Sequence, residues 1–281
     1  MSLELCILGS GSTGNCSVVR TPVGILLIDA GLGPKVTAQR MAGSGVRVAD
    51  VSAVCLTHLD IDHFCPAWVR PFIAAGVRVF CHRSRVGHLL KIAATQPLAP
   101  LICPFDDEPF EVFPDLAARP VALAHDEEGS HGFVIEGFGR RLGFATDLGR
   151  VPASLIEHFV DLDVLALESN YDPCMQQQSA RPDYLKRRIM GGRGHLSNEQ
   201  AYAAIRTILE RAERQGTGLP THIVLLHRSR QCNCPKIIRQ LFCADARIAS
   251  RLILSEPYQR TVWLAAGKRV PATGEQMLLS W

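Results

Sequence analysis

Thr57-His58-Leu59-Asp60-Ile61-Asp62-His63 places four cation-binding side chains, His58, Asp60, Asp62 and His63, in one short stretch. The preceding Val51-Ser52-Ala53-Val54-Cys55-Leu56 reads as a buried strand. Pro66 then opens a helix on which Ala67-Trp68-Val69 and Phe72-Ile73 fall at helical spacing. The chemistry therefore sits where a strand hands over to a helix. Unpaired charge in an apolar neighbourhood costs several kcal/mol, so this much imidazole and carboxylate needs a partner. A divalent metal meets that need, because His nitrogen and carboxylate oxygen are the usual ligands of Zn, Mn or Fe. The competing reading is a solvated acidic turn with two incidental histidines.

Working outward, Leu3 to Leu8 is a strand ending in the loop Gly9-Ser10-Gly11-Ser12-Thr13-Gly14-Asn15. That loop lacks the lysine of a P-loop and opens no helix, so it does not read as a nucleotide cradle. Cys16–Val19 and Gly24–Asp29 form a hairpin, and Pro34–Met41 a helix. After the metal loop come a helix over Pro66–Ala75, a strand over Val77–Phe80 and a helix over Ser84–Ala94. The prolines and acids of Pro104–Pro120 imply short strands and turns. Three strands follow, Val121–Ala124, Gly132–Glu136 and Arg141–Asp147, then a helix from Pro152 to near Phe159 and a strand over Asp163–Glu168. Helices over Pro182–Met190 and Ser197–Gln215 come next, with Ser197 as N-cap. His222–Leu226 is a buried strand, and a helix from Pro235 with two or three short strands closes the chain.

At 281 residues, 47% hydrophobic and 20% charged, the chain reads as one folded domain over residues 1–281. Its net charge of +3 is too small to establish a polyanion partner. The start has no basic n-region, so no signal peptide is expected. No apolar run approaches ~18 residues, which excludes a membrane-spanning helix. Ten cysteines without paired spacings read as reduced thiols in a cytoplasmic protein. Alternating strands and helices in both halves predict an α/β fold of two mixed sheets packed together and covered by helices, with polar strand ends meeting along one edge.

Three further residues end apolar strands: His125, Asp147 and His227. With the first loop they make seven ligands, enough for two cations if one carboxylate bridges. Two-metal sites of that kind, with ions about 3.5–4 Å apart, hydrolyse phosphoesters and amides. His131 competes with His125, although Gly132 and the strand beyond it imply a turn role. His195, in Gly194-His195-Leu196-Ser197-Asn198, reads in order as a general acid, a part of the helix cap or an eighth ligand.

The glycine loop at 9–15, Ile28-Asp29-Ala30-Gly31, Thr57–His63, Ala145-Thr146-Asp147-Leu148-Gly149, Glu168-Ser169-Asn170-Tyr171-Asp172 and Gly194–Asn198 together resemble the metallo-β-lactamase superfamily. The likeness is to its WalJ/YycJ branch, a relative of ribonuclease Z, and runs from about Leu3 to Pro235. It implies an αββα sandwich with a dinuclear site along one edge of the sheets. On that resemblance His58, Asp60, His125 and Asp147 hold one divalent ion. Asp62, His63, Asp147 and His227 hold the other, with Asp147 bridging. Asp62 and His195 are the residues expected to take part in the reaction itself, His195 near the leaving group.

Two departures stand out. Asp60 occupies the second histidine of the family's His-x-His-x-Asp-His loop, which favours Mn, Fe or Mg over Zn there. After His227 the chain reads Arg228-Ser229-Arg230-Gln231-Cys232-Asn233, so the substrate edge is altered. Cys232 and Cys234 read as two surface thiols rather than a soft-metal or redox pair.

Arg181, Lys186, Arg187, Arg188 and Arg193 give five basic residues within thirteen, and Arg228 and Arg230 flank Ser229. A cationic rim suits a phosphodiester substrate, DNA or RNA, recognised through backbone charge. Lys186–Arg188 read equally as the wet face of a helix. The leading expectation is a metal-dependent, exonuclease-like phosphodiesterase. The alternatives are a hydrolase of small phosphodiesters, lactones or thioesters, and a regulatory protein with metal loading weakened by Asp60.

Overall fold

The strand at the centre of the first sheet owes its place to its composition. Ile25-Leu26-Leu27-Ile28 is apolar on both sides of the pleat, so both of its faces must be covered. The protein, described over residues 3–267 in a computed structural model, covers it with a second sheet on one side and helices on the other. The first sheet contains β1 (Glu4–Gly9), β2 (Cys16–Thr21), β3 (Gly24–Ile28), β4 (Val51–Cys55), β5 (Arg78–His82) and β6 (Ile102–Phe105). Between them run α1 (Pro34–Met41), α2 (Val69–Ala75) and α3 (Val86–Ala93). The second sheet contains β7 (Phe110–Phe113), β8 (Leu116–Leu123), β9 (Ser130–Gly137), β10 (Arg140–Ala145), β11 (Val164–Glu168), β12 (His222–Leu226) and β13 (Leu252–Leu254). Its helices are α4 (Ala153–His158), α5 (Pro173–Gln178), α6 (Asp183–Met190), α7 (Asn198–Gln215), α8 (Pro235–Phe242) and α9 (Ala246–Ala249). The chain returns to the first sheet with β14 (Leu264–Ala265), so the strand order there is β14-β1-β2-β3-β4-β5-β6.

Both sheets are mixed. β1 to β3 are antiparallel and β3 to β6 parallel, while β7 to β10 are antiparallel and β10 to β13 parallel. One buried cluster, including Leu26, Ile28, Phe133, Phe144 and Val224, lies between the sheets. A second fills the space under α1 to α3, and a third packs α4, α7 and α8 on the other outer face. The layering is the expected αββα sandwich. Ligand sites in such sheets form beyond the carboxyl ends of the parallel strands.

The differences from the sequence expectations have local causes. Pro104–Pro120 holds the end of β6, β7 and the start of β8 with turns between them, as expected, but β8 at eight residues is longer than the short strands expected. Pro104 is tolerated because β6 is an edge strand, and Pro120 because β7 stops pairing at Ala118. The helix after Pro66 begins with a 3-10 turn, Pro66–Trp68. β5 extends to His82. The α5 helix was not expected, yet Asp172-Pro173 announces it: Asp172 accepts a hydrogen bond from the Met175 amide and Pro173 occupies the first turn. Ser197 caps α7 in a reciprocal pair with Gln200, as expected.

Phe133 is fully buried between the sheets and meets Phe105 edge-on at 5.6 Å. Phe133→Ala is expected to lower unfolding stability by about 3–5 kcal/mol. Urea unfolding checks this through a lower midpoint at an unchanged slope.

Candidate metal centre

The loop after β4 is held open by a carboxylate behind it. Asp29, at the end of β3, is completely buried and accepts hydrogen bonds from the Thr57 amide at 2.9 Å and the Thr57 hydroxyl at 3.0 Å. Its other oxygen accepts from His63 Nδ1 at 2.7 Å. The Thr57 hydroxyl has one proton, which goes to Asp29, so it accepts from His58 Nδ1 at 3.0 Å. Both histidines are thereby turned so that Nε2 faces the cleft. Gly31 lets the loop cross β3's end, since a Cβ there would lie 1.8 Å from the Asp62 carbonyl oxygen.

The second sheet supplies the opposite wall. Asp147 follows β10, Glu168 ends β11 and His227 follows β12, while His125 follows β8. His63 Nε2 lies 3.0 Å from Asp147 Oδ2, joining the two sheets. His125 donates Nδ1–H to the Gly194 carbonyl at 3.0 Å, leaving Nε2 4.0 Å from Asp147 Oδ1. His227 Nδ1 lies 3.3 Å from Glu168 Oε1, and its Nε2 is 3.7 Å from Asp62 Oδ2. His58 Nε2 is 3.7 Å from Asp60 Oδ2. His195 donates Nδ1–H to Glu168 Oε1 at 2.7 Å.

Separations of 3.7–4.0 Å are too long for hydrogen bonds. They are close to the roughly 3.4 Å expected between two ligands of one tetrahedral ion with bonds near 2.1 Å. Ligand atoms of His58, Asp60 and His125 lie within 4.8 Å of one another, as do those of Asp62, His63 and His227, and of His58, His63 and Asp147. The His227 Nε2 atom is buried without a hydrogen-bond partner. A buried imidazole nitrogen with nothing to bind, surrounded by carboxylates, fits a cation site. All seven residues expected as ligands therefore converge.

The electrostatics follow from burial. Desolvation disfavours charge on His63, but Asp147 and Asp29 outweigh it and hold its pKa well above the ordinary histidine value. His227 meets the same penalty, outweighed by Asp147, Asp62 and Glu168, and is pushed up to about 10. Desolvation at Asp147 is overcome by His227 and His63, which hold it well below the usual carboxylate range. His58, desolvated and beside His63, is held well below the ordinary value.

Glu168 and Asp29 were visible only as members of motifs, with no role assigned. Their signal was a carboxylate ending a fully apolar strand, the same signal that marked Asp147. The cap reading of His195 gives way to Ser197, and His195 lines a cleft of about 770 Å³ together with Asp62 and Asp147. Arg181, Arg188 and Arg230 also line it. Arg187 and Arg193 line an adjoining cavity of about 570 Å³ that shares His58 and Asp126. Lys186 instead bonds the Gln177 carbonyl. Arg228 is buried and paired with Glu256 at 2.5 Å, so it is not part of the rim. Cys232 is buried against Tyr171 and Ile189 rather than exposed. His131 sits inside β9, not in a turn, and is no alternative to His125.

Two mixed sheets under helices, with histidines and aspartates gathered at their strand ends, define a metal-dependent hydrolase of the metallo-β-lactamase fold. The model of the beta-lactamase superfamily domain matches residues 25–223, and the chain belongs to that superfamily. It is 27% identical over 241 residues to the exodeoxyribonuclease YycJ of Bacillus anthracis, covering 85% of this chain and 87% of that protein. It is 26% identical over 256 residues to the exodeoxyribonuclease WalJ of Streptococcus pneumoniae serotype 2 (strain D39), covering 87% and 90%. The metallo-β-lactamase fold protein YhfI of Bacillus subtilis matches with a TM-score of 0.67 at 14% identity, covering 93% of this chain and 100% of that one.

Asp29→Ala leaves His63 and Thr57 without their acceptor, and divalent-cation affinity is expected to fall about 10–100-fold by calorimetric titration. With His63 and His227 both charged near neutral pH, cation uptake is expected to release protons and to strengthen as pH rises toward about 10. Titration in buffers of different ionisation enthalpy measures the release, and none at neutral pH contradicts the assignment.

Proposed function

We propose that this chain is a phosphodiesterase acting on nucleic acid with two divalent cations. His58, Asp60, His125 and Asp147 hold one, and Asp62, His63, His227 and Asp147 hold the other. The observation that carries this is the pair of ligand groups on either side of the buried Asp147. When bound, such cations polarise phosphoryl oxygens and make water nucleophilic at neutral pH. Asp60, an oxygen donor with a side chain 53% exposed, favours Mn or Fe over Zn at its position. Both sheets contribute ligands, which supports one working domain. Ten free cysteines support a reducing, cytoplasmic setting.

The chain's own residues divide the work. Asp62 reaches the cleft with a side chain 21% exposed and orients and deprotonates the attacking water. His195 is turned by the buried Glu168 so that Nε2 can give a proton to the departing sugar oxygen. Glu168 accepts from His195 and from the Leu148 amide at 2.9 Å, so its position is set from the loop before α7 and the loop after β10. Arg181, Arg188 and Arg230 offer the cleft a cationic side, although Arg188 is held by Asp126. The reading as a nuclease draws on the two exodeoxyribonucleases named above, and backbone charge is the feature these arginines can read.

The test sets DNA, RNA and bis(p-nitrophenyl) phosphate side by side with Mn or Zn. Hydrolysis of a nucleic acid, abolished in Asp147→Ala, is the expected result. Turnover of the small ester alone moves the reading to a small-substrate hydrolase, and no turnover with any divalent ion moves it to a regulatory protein. His195→Ala is expected to lower kcat on nucleic acid about 10²–10⁴-fold. The loss on bis(p-nitrophenyl) phosphate should be much smaller, because nitrophenolate departs without a proton. Equal losses on both would remove His195 from the acid role.

A further inference from the structure

Away from the cleft, His82, Asp107 and His131 form a separate group whose ligand atoms lie within 4.8 Å of one another. None of the three lines either cavity beside the metal centre. We propose that they are a further divalent-cation site, a two-histidine, one-carboxylate set suited to Zn, that clamps the two sheets together. His82 ends β5 in the first sheet, and His131 lies in β9 of the second. Asp107 lies in the crossing from β6 to β7, which leaves the edge of the first sheet for the edge of the second.

The local geometry is specific. The two imidazoles stack at 4.4 Å with their planes 19° apart. His131 is 7% exposed, and its Nδ1 is buried with no hydrogen-bond partner. Buried polar atoms of that kind are rare and call for an explanation, an ion among them. The His82 Nδ1 is 2.8 Å from the Ser84 hydroxyl, which sets the ring and leaves Nε2 for a ligand bond. Asp106 is engaged by Arg83 through two hydrogen bonds of 2.9 Å, which anchors the turn and leaves the neighbouring Asp107 toward the imidazoles. Arg85 is the nearby opposing charge, and it is held by the Gly129 carbonyl and by Glu128 at 3.3 Å. Two histidines and one carboxylate leave a fourth position for water, the usual pattern of an accessible zinc site.

The site would also stiffen the metal loop from outside. The His131 amide donates to the Thr57 carbonyl at 3.0 Å, and Thr57 is the residue that orients His58. An ion here fixes the distance between β5 and β9 without touching the hydrolytic cleft.

The test counts Zn equivalents on the full chain by calorimetric titration and elemental analysis, for wild type, Asp107→Asn and the double variant His82→Ala/Asp107→Asn. Asp107 is exposed, so Asp107→Asn removes no core contact, whereas the half-buried His82 meets Phe105 edge-on at 5.6 Å and its loss also removes that contact. The expected result is one fewer equivalent in the double variant and at least tenfold weaker binding of that equivalent in Asp107→Asn. The Zn-dependent rise in Tm should shrink, with the remaining equivalents unchanged. Equal equivalents at equal affinity in all three proteins overturn the proposal. If the double variant does not fold, the Asp107→Asn affinity decides alone.

Discussion

A carboxylate buried at the seam of two sheets is the constraint on which the rest of this protein depends. Asp147 is 2% exposed, and taking such a charge out of water costs several kcal/mol unless it is matched. The match comes from the other sheet through His63, from its own sheet through His227 and from the loop before α7 through His195. Each of those histidines is in turn oriented by a further carboxylate, Asp29 or Glu168. The sandwich is thus closed at this edge by charge as well as by apolar contact. The arrangement is useful because four imidazole Nε2 atoms and three carboxylates converge where a cation can replace the missing positive charge.

Backbone strain accompanies the arrangement. Asp29, Asp147 and His227 all lie in the left-handed region, with φ of 59°, 54° and 52°. Asp29 and His227 are the first residues after β3 and β12 and Asp147 the second after β10, where an abrupt turn aims the side chain across the seam. Non-glycine residues held this way cost roughly 1–3 kcal/mol each and persist only where the surroundings over-determine them. Here the surroundings are paired strands on either side and a buried amide network. Asn233 donates to the Ser169 and Asn170 carbonyls at 3.1 and 2.8 Å, and Asn170 donates to the His227 carbonyl at 2.7 Å. Ser169 is joined to Asn198 at 2.7 Å. The chain around 169–170, the start of α7 and the loop after β12 are locked as one unit, so His195 and His227 keep their places together.

Most of the candidate centre was legible in the amino-acid order, for a simple reason. Four of its side chains fall within the loop after β4, and three more end apolar strands, a pattern that needs no tertiary knowledge. Asp29 and Glu168 carry the same strand-end signal but bind other side chains, and which strand end faces which is decided only when the sheets pack. The same limit explains Arg228, whose partner Glu256 is 28 residues away. It explains His131 too, whose burial follows from pairing with Ala122 on β8 rather than from its own neighbours. The sandwich itself was readable from strand–helix alternation. In the 104–120 stretch the short strands and turns were readable, and the length of β8 was not, because its pairing with β9 sets it.

The most direct measurement is the cation content of protein purified without added metal, taken in the His82→Ala/Asp107→Asn variant so that only the strand-end centre is counted. Two equivalents per chain, falling in Asp147→Ala of the same background, is the result this account predicts. One equivalent or none, unchanged by Asp147→Ala, would contradict a bridged pair of cations at the seam.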